Sequence, residues 1–303
     1  MVFTPNLIMP GVAKCGTTTL YDILVSHPAI TGGIEKEVRY LMDADESLST
    51  PINVRDCGLG GWAALYADRG EGAFRYWLDA SPQYQYQDVA RRVIAELDPA
   101  PRLIFVVRRP SARLFSLYQY ARYHQKVLPH HRSFAEFIDA IRPPVDPRLT
   151  DQKMMVSAWV DTRYDAMLEQ WAEAVPPGHI WMTSIEALGR DRRAVIGSLA
   201  AWLDLDPQPM IEAGGAHSNP TVHTRSHAVR RVGAKLARLL PENRLVRAAK
   251  NFVRELNSAE IDAGEREANA RLLQEIDAEF SPHVARFNAM AAEIQEDFVP
   301  LDI

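Results

Sequence analysis

Nine residues near the start of the chain, Gly11-Val12-Ala13-Lys14-Cys15-Gly16-Thr17-Thr18-Thr19, combine two glycines, one lysine and three hydroxyls. Between a strand and a helix, a loop of this composition turns successive backbone N–H groups inward. The helix N-terminus adds roughly half a positive charge, and the result is an anion cradle. Lys14 supplies a full charge, and Thr17, Thr18 and Thr19 supply hydroxyl donors. The glycine spacing matches the Walker A loop, but that pattern places lysine directly after the second glycine. Thr17 stands there instead and the lysine lies inside the loop, which disfavours an ordinary ATPase. The competing role is a plain strand-to-helix turn with an exposed lysine. Cys15, beside Lys14 at a helix start, is placed where a thiol pKa can fall.

A second cationic group follows an uninterrupted apolar run, Leu103-Ile104-Phe105-Val106-Val107, which leads into Arg108-Arg109-Pro110. Ligands of open α/β sheets collect at the carboxyl ends of such strands. The planar fork of arginine binds two phosphate oxygens together. Pro110 suits the first turn of a helix, and Ser116, about two turns in, can aim its hydroxyl at the same anion. The alternative is an Arg108 paired with a core carboxylate and a Ser116 facing solvent. Two anion-binding loops at two strand ends point to a ligand phosphorylated at both ends.

Charges alternate in Glu35-Lys36-Glu37-Val38-Arg39-Tyr40, shortly after the first predicted helix. A carboxylate kept ionised by neighbouring lysines beside an anion cleft can take a proton from an attacking hydroxyl or amine. A solvated charge run is the plainer reading of such a stretch.

Alternating strands and helices must hold these residues. The pattern predicts strands at Asn6–Met9, Phe74–Leu78, Leu103–Val107 and His179–Thr183. It predicts helices over Thr17–Ser26, Gln87–Leu97, Ser111–Gln125, Ser157–Glu173 and Ile185–Leu203, the last interrupted at most at Gly189. Residues 204–226 read as a loop rich in proline and glycine, and 228–296 as helical and charge-rich. Uninterrupted apolar strands separated by helices argue for a parallel sheet with crossover helices.

The composition bounds the function. The chain has 303 residues, 47% hydrophobic and 24% charged, with a formal net charge of −5. These values exclude a disordered chain and a strongly basic nucleic-acid binder, leaving room only for a local basic cleft. Only six of the 34 basic residues are lysine, and Lys14 and Lys36 fall close together. Two cysteines, Cys15 and Cys57, are too few for a disulfide framework or a structural zinc site, and a reducing cytoplasm fits them. The N-terminal residues lack a signal peptide's basic start and apolar run, and no apolar stretch approaches roughly 18 residues. The expectation is a cytoplasmic protein with no membrane or nucleic-acid partner.

Taken together, the residues resemble the sulfotransferases that use 3′-phosphoadenosine 5′-phosphosulfate (PAPS), of the heparan-sulfate-modifying type and its bacterial branch. Gly11 to Leu20 looks like the family's 5′-phosphosulfate loop, followed by His27-Pro28. Lys36 to Tyr40 resembles the segment whose glutamate is the catalytic base. Leu103 to Tyr118, with Arg108, Pro110, Arg113, Ser116 and Tyr118, is similar to the 3′-phosphate motif. The resemblance extends to Asp79-Ala80-Ser81-Pro82-Gln83-Tyr84, to Trp171–Leu203 and to the Phe280-Ser281-Pro282-His283 helix.

The resemblance implies an α/β fold, P-loop-like and three-layered, with a central parallel β-sheet flanked by helices and with helical C-terminal additions. It implies a single domain over 1–303: an α/β core at 1–205, a donor-covering loop at 206–230 and a helical part at 231–303. Lys14 and Glu37 become the catalytic residues. Gly11, Lys14, Cys15, Gly16, Thr17, Thr18 and Thr19 hold the 5′-phosphosulfate, Arg108 and Ser116 hold the 3′-phosphate, and Arg225 and Ser226 close over it. PAPS is the co-substrate, no metal is required, and the acceptor is a hydroxyl or amine of a small molecule, sugar or natural product. The departures lie at Ala80 and Ser81, where heparan-type relatives carry lysine and threonine, at Arg109 in place of aspartate, and at Arg39 in place of histidine. The C-terminal disulfide loop has no counterpart.

Two other classes stay in view: a P-loop small-molecule kinase using Mg-ATP, and a nucleotide-binding protein without catalysis. His130-His131 has no neighbouring ligand set and is not expected to bind metal. Tyr84, Tyr118, Tyr120 and Tyr123 divide between core and substrate stacking.

Overall fold

The structure, a computed structural model, describes residues 2–44, 50, 52–69, 73–122, 133–149, 153–213, 222–224, 258–260 and 267–303. Five strands form one parallel sheet: β1 (Leu7–Gly11), β2 (Ile30–Gly32), β3 (Tyr76–Asp79), β4 (Arg102–Val107) and β5 (Ile180–Ser184), in the order β2-β3-β1-β4-β5. Every residue of β1 and β5 is buried, as expected for strands covered on both faces. The apolar runs of β1 and β4 therefore read correctly, and the α/β class holds. From β1 the chain builds β2 and β3 on one side, then crosses to β4 and β5 on the other. The switch point lies between β1 and β4, where loops at the carboxyl ends diverge and leave a crevice.

The helices that matter for the site are α1 (Thr17–Leu24), the short α2 (Val54–Cys57), α3 (Asp88–Ala95) and α4 (Pro110–Tyr120). Beyond them come α5 (Phe134–Ile141), α6 (Lys153–Val156), α7 (Tyr164–Ala172), α8 (Ile185–Arg190), α9 (Arg192–Leu203) and α10 (Gln208–Ala213). A short antiparallel pair, β6 (Val222–Thr224) with β7 (Ser258–Glu260), precedes α11 (Ala270–Ile294).

Two apolar clusters hold this frame. The larger surrounds the sheet, with Leu7, Phe105, Trp171 and Trp181 at its centre. The smaller joins α4, α5 and α11 through Phe115, Tyr118, Phe134, Phe137 and Phe280. Burying side chains of this size contributes about 1.5–3 kcal/mol each, so α4, which faces the smaller cluster while following β4, is firmly placed.

Several predicted elements are corrected. Ser157–Glu173 is not one long helix: α7 begins at Tyr164, after a 3₁₀ turn at Val160–Thr162. The Ala158 carbonyl is taken by the Arg113 guanidinium and the Thr162 hydroxyl, which diverts the backbone from a helical ladder. Ile185–Leu203 divides at Asp191, not Gly189, because the Asp191 carboxylate accepts from the Ala194 amide and caps α9. The predicted loop 204–226 contains α10, and within the predicted helical stretch 228–296 the strand β7 precedes α11. The three-residue edge strand β2 and the 3₁₀ stretch Leu59–Arg69 went unpredicted.

Candidate functional site

The glycine loop leaves β1 at the centre of the sheet. Val12 donates its amide to the Val106 carbonyl of β4, and the Cys15 amide closes back on the Val12 carbonyl. Lys14 and Gly16 both adopt left-handed backbone, with φ of 72° and 95°. At Gly16 the requirement for glycine is twofold, since a Cβ there would also lie 2.5 Å from Ile185 Cδ1. No side chain caps α1 at Gly16, so the first-turn amides, Thr17 to Thr19, face the loop without intrahelical acceptors. The loop thus has the backbone geometry of an anion cradle.

The place of Cys15 at a helix start does not lower its pKa. The thiol is fully buried, within 3.7 Å of the Tyr164 hydroxyl, and burial pushes its pKa up to about 11 despite Arg113 nearby. The whole residue, backbone included, is buried. Lys14 is half-buried, its ammonium 4.1 Å from the centre of the Tyr120 ring. Burial first, and then the neighbouring Arg108 charge, lower its pKa to about 8. Tyr120 thus belongs with the site rather than the core. The fully buried Arg113 fixes the loop from behind, its Nε donating to the Ala13 carbonyl.

Arg108 and Ser116 come together as predicted. Both line a cavity of about 320 Å³, with Gln119, Ser111 and, from α11, Gln274 and Asp277. Arg108 makes no ion pair with a core carboxylate among the described residues. Its Nη1 reaches the Lys14 carbonyl at 3.4 Å, and its Nε is buried with no partner there. Gln119 Nε2 is likewise buried and unpartnered among the described residues. A guanidinium N–H and an amide N–H left unsatisfied beside a cavity suit an anion with several oxygens. Asp277 accepts from the Ser111 amide at 3.0 Å and its hydroxyl at 2.8 Å, and lies 3.8 Å from Arg109 Nε. Sequence reasoning missed this clamp between α11 and the start of α4.

Glu37 lies in a stretch, 33–44, that contains no helix or strand. Its backbone amides find acceptors on side chains of the segment after β3. Arg39 N donates to Ser81 Oγ (3.0 Å), Leu41 N to the Tyr84 hydroxyl (3.1 Å) and Asp43 N to Gln87 Oε1 (2.6 Å). Ser81 and Tyr84 in turn donate to Asp79, at 2.6 and 2.9 Å. Burial raises the Asp79 carboxyl to about 6, against the opposing pull of these hydroxyls.

Both oxygens of Glu37 are engaged. Lys36 Nζ sits 3.1 Å from Oε1, while Gln83 Nε2 donates to Oε2 at 2.8 Å and Arg39 Nε lies 3.6 Å from it. Burial pushes the Glu37 carboxyl up, but Lys36, the Gln83 amide and Arg39 outweigh it and hold it below its ordinary range. Lys36 Nζ also reaches Thr17 Oγ1 at 3.5 Å, so one ammonium touches both the cradle and the carboxylate. The charge run at 35–40 is therefore not merely a solvated face. Ala80, the position of the relatives' lysine, is fully buried. Arg225, Ser226, Tyr123, His130 and His131 lie outside the described residues.

An open parallel sheet whose two loops at the switch point both present cations is an arrangement suited to a phosphorylated ligand. The sequence matches the family described as "Sulfotransferase domain" over residues 4–214, and the chain belongs to that family, the PAPS-dependent sulfotransferases. It is 25% identical over 204 residues to the human bifunctional heparan sulfate N-deacetylase/N-sulfotransferase 3, covering 67% of this chain and 22% of that protein. The corresponding human protein 2 is 22% identical over 204 residues, with the same coverage of 67% and 22%. The chain thus spans about a fifth of the length of these relatives. The crystal structure of a sulfotransferase from Alicyclobacillus acidocaldarius has the same fold, with a TM-score of 0.62, 18% identity and 96% of each chain covered.

Proposed function

We propose that this sulfotransferase moves the sulfuryl group of PAPS to a hydroxyl or amine of a small-molecule or carbohydrate acceptor by in-line displacement, with Glu37 as general base. The observation that carries the reading is Lys36, whose ammonium touches both Thr17 of the cradle and the Glu37 carboxylate. A base tied to the anion cradle stands where an attacking group must lose its proton.

The chain's own residues divide the work. Thr17 to Thr19, their amides and Lys14 hold the 5′-phosphosulfate, and Lys14 neutralises charge that grows on the leaving phosphate. Arg108 and Ser116 take the 3′-phosphate in the cavity they line, and Arg225 and Ser226 are proposed to cover it. PAPS supplies the activated sulfur; sulfur–oxygen cleavage at the donor accompanies bond formation to the acceptor, whose proton passes to Glu37. Held ionised at neutral pH, Glu37 is ready to accept it. Positioning and electrostatics supply most of the acceleration, as in phosphoryl transfer.

We read 1–303 as one domain acting in the cytoplasm. No helix among the described residues is long and apolar enough to cross a membrane.

The test is Glu37→Gln, assayed for transfer from PAPS to a panel of sugar hydroxyls, phenols and amines. Turnover should fall by at least about 100-fold, while affinity for the by-product 3′-phosphoadenosine 5′-phosphate (PAP) stays the same. Retained turnover in E37Q, or lost PAP binding, would contradict the role.

A further inference from the structure

We propose that Gln83 is a positioning residue for the base, fixing the direction of the Glu37 carboxylate through a neutral hydrogen bond; this rests on Glu37 being the base. Gln83 Nε2 donates to Glu37 Oε2 at 2.8 Å, across a separation of 46 residues. Its backbone is set by the 3₁₀ turn Pro82–Tyr86, which starts on a proline directly after the buried Asp79-Ala80-Ser81 segment. The residue is 7% exposed, and its Oε1 is buried with no partner among the described residues.

The bond donated to Glu37 fixes the orientation of the amide. Turning the amide over would set oxygen against the carboxylate and lose the bond. Burying an unsatisfied carbonyl costs stability that a methionine of similar volume would not, and the bond to Glu37 is what this position gains in return.

A neutral donor suits the chemistry here. Glu37 faces Lys36 and Arg39, feels the charge of Lys14, and is opposed by the buried Asp79 behind it. A further cation would depress the basicity of a carboxylate that must still accept a proton. The amide directs Oε2 without adding charge, and leaves Oε1 to Lys36.

The test compares wild type with Gln83→Met, Gln83→Lys and Gln83→Glu. In each, the Glu37 carboxyl is titrated by ¹³C NMR on protein labelled at the glutamate δ carbons, with E37Q assigning the resonance, and PAP titration reports an intact fold. Losing a bond to the charged form raises a carboxyl pKa. The Glu37 pKa should therefore rise in Q83M and in Q83E, and fall below wild type in Q83K. On the acceptor that reveals the loss in E37Q, Q83M should lower kcat about tenfold with KM for PAPS unchanged. Its acid limb should also move to higher pH. Should Q83M lose PAP binding, Q83E decides by the same titration. An unmoved Glu37 titration in folded Q83M or Q83E overturns the proposal even where E37Q is inactive. Retained turnover in E37Q instead overturns the functional reading on which the proposal stands.

Discussion

The donor cradle grows directly out of strands β1 and β4, neighbours at the centre of the sheet, whereas Glu37 sits on an irregular stretch after the three-residue edge strand β2. On the donor side, backbone groups do the holding. Val12 is tied to Val106, Arg113 grips the Ala13 carbonyl, and the end of α1 is left open for an anion. On the base side, side chains reach across from 81–87, through Ser81, Gln83, Tyr84 and Gln87, and Lys36 and Arg39 flank the carboxylate. The contrast teaches that the proposed cradle and the proposed base rest on different supports, joined through Lys36, which reaches both Thr17 and Glu37. The donor site inherits the rigidity of buried strands, and the base depends on a small set of hydrogen bonds whose loss is local.

Mutations should expose that division. Glu37→Gln gives the widest separation, removing turnover and sparing PAP affinity. Tyr84→Phe should come next. Its hydroxyl donates to Asp79 and accepts from the Leu41 amide, so its removal leaves two buried groups unsatisfied, at about 1–3 kcal/mol. Thermal unfolding should show that loss and kinetics a lower kcat, while PAP titration shows no change. A matching drop in PAP affinity would mean that the halves are not independent.

The smallest effect concerns the donor side and pH. Lys14, held at about 8, is charged below that value and loses its proton above it. At limiting PAPS, kcat/KM should therefore decline above about pH 8, by roughly tenfold per unit. Lys14→Arg keeps its charge throughout, so its lower rate should show no such alkaline limb. A limb that persists in K14R would place the titrating group elsewhere.

The same contrast explains what could be read from the residues alone. β1, β4 and β5 announce themselves as apolar runs, and the cradle as glycine, lysine and threonine directly after a strand. Both are local signals, as are Arg108, directly after β4, and Ser116, about two turns into the helix that follows. Glu37 needed the resemblance, because alternating charge is also the pattern of a solvated surface. Gln83 fell inside a recognised motif without a role, since its meaning lies in a carboxylate 46 residues away. Asp277 meets Ser111 across 166 residues, and no periodicity encodes such a pairing. The break before α7 escaped for a related reason: it depends on Arg113, from another helix, taking the Ala158 carbonyl.

Calorimetric titration of PAP against 5′-AMP and ATP, with and without magnesium, tests the central claim most directly: two anion sites at neighbouring strand ends grip one nucleotide by both its phosphates. The account predicts tight, magnesium-independent PAP binding that weakens by about 100-fold or more when the 3′-phosphate is missing. Equal affinity for PAP and 5′-AMP, or a preference for magnesium-ATP, would contradict it.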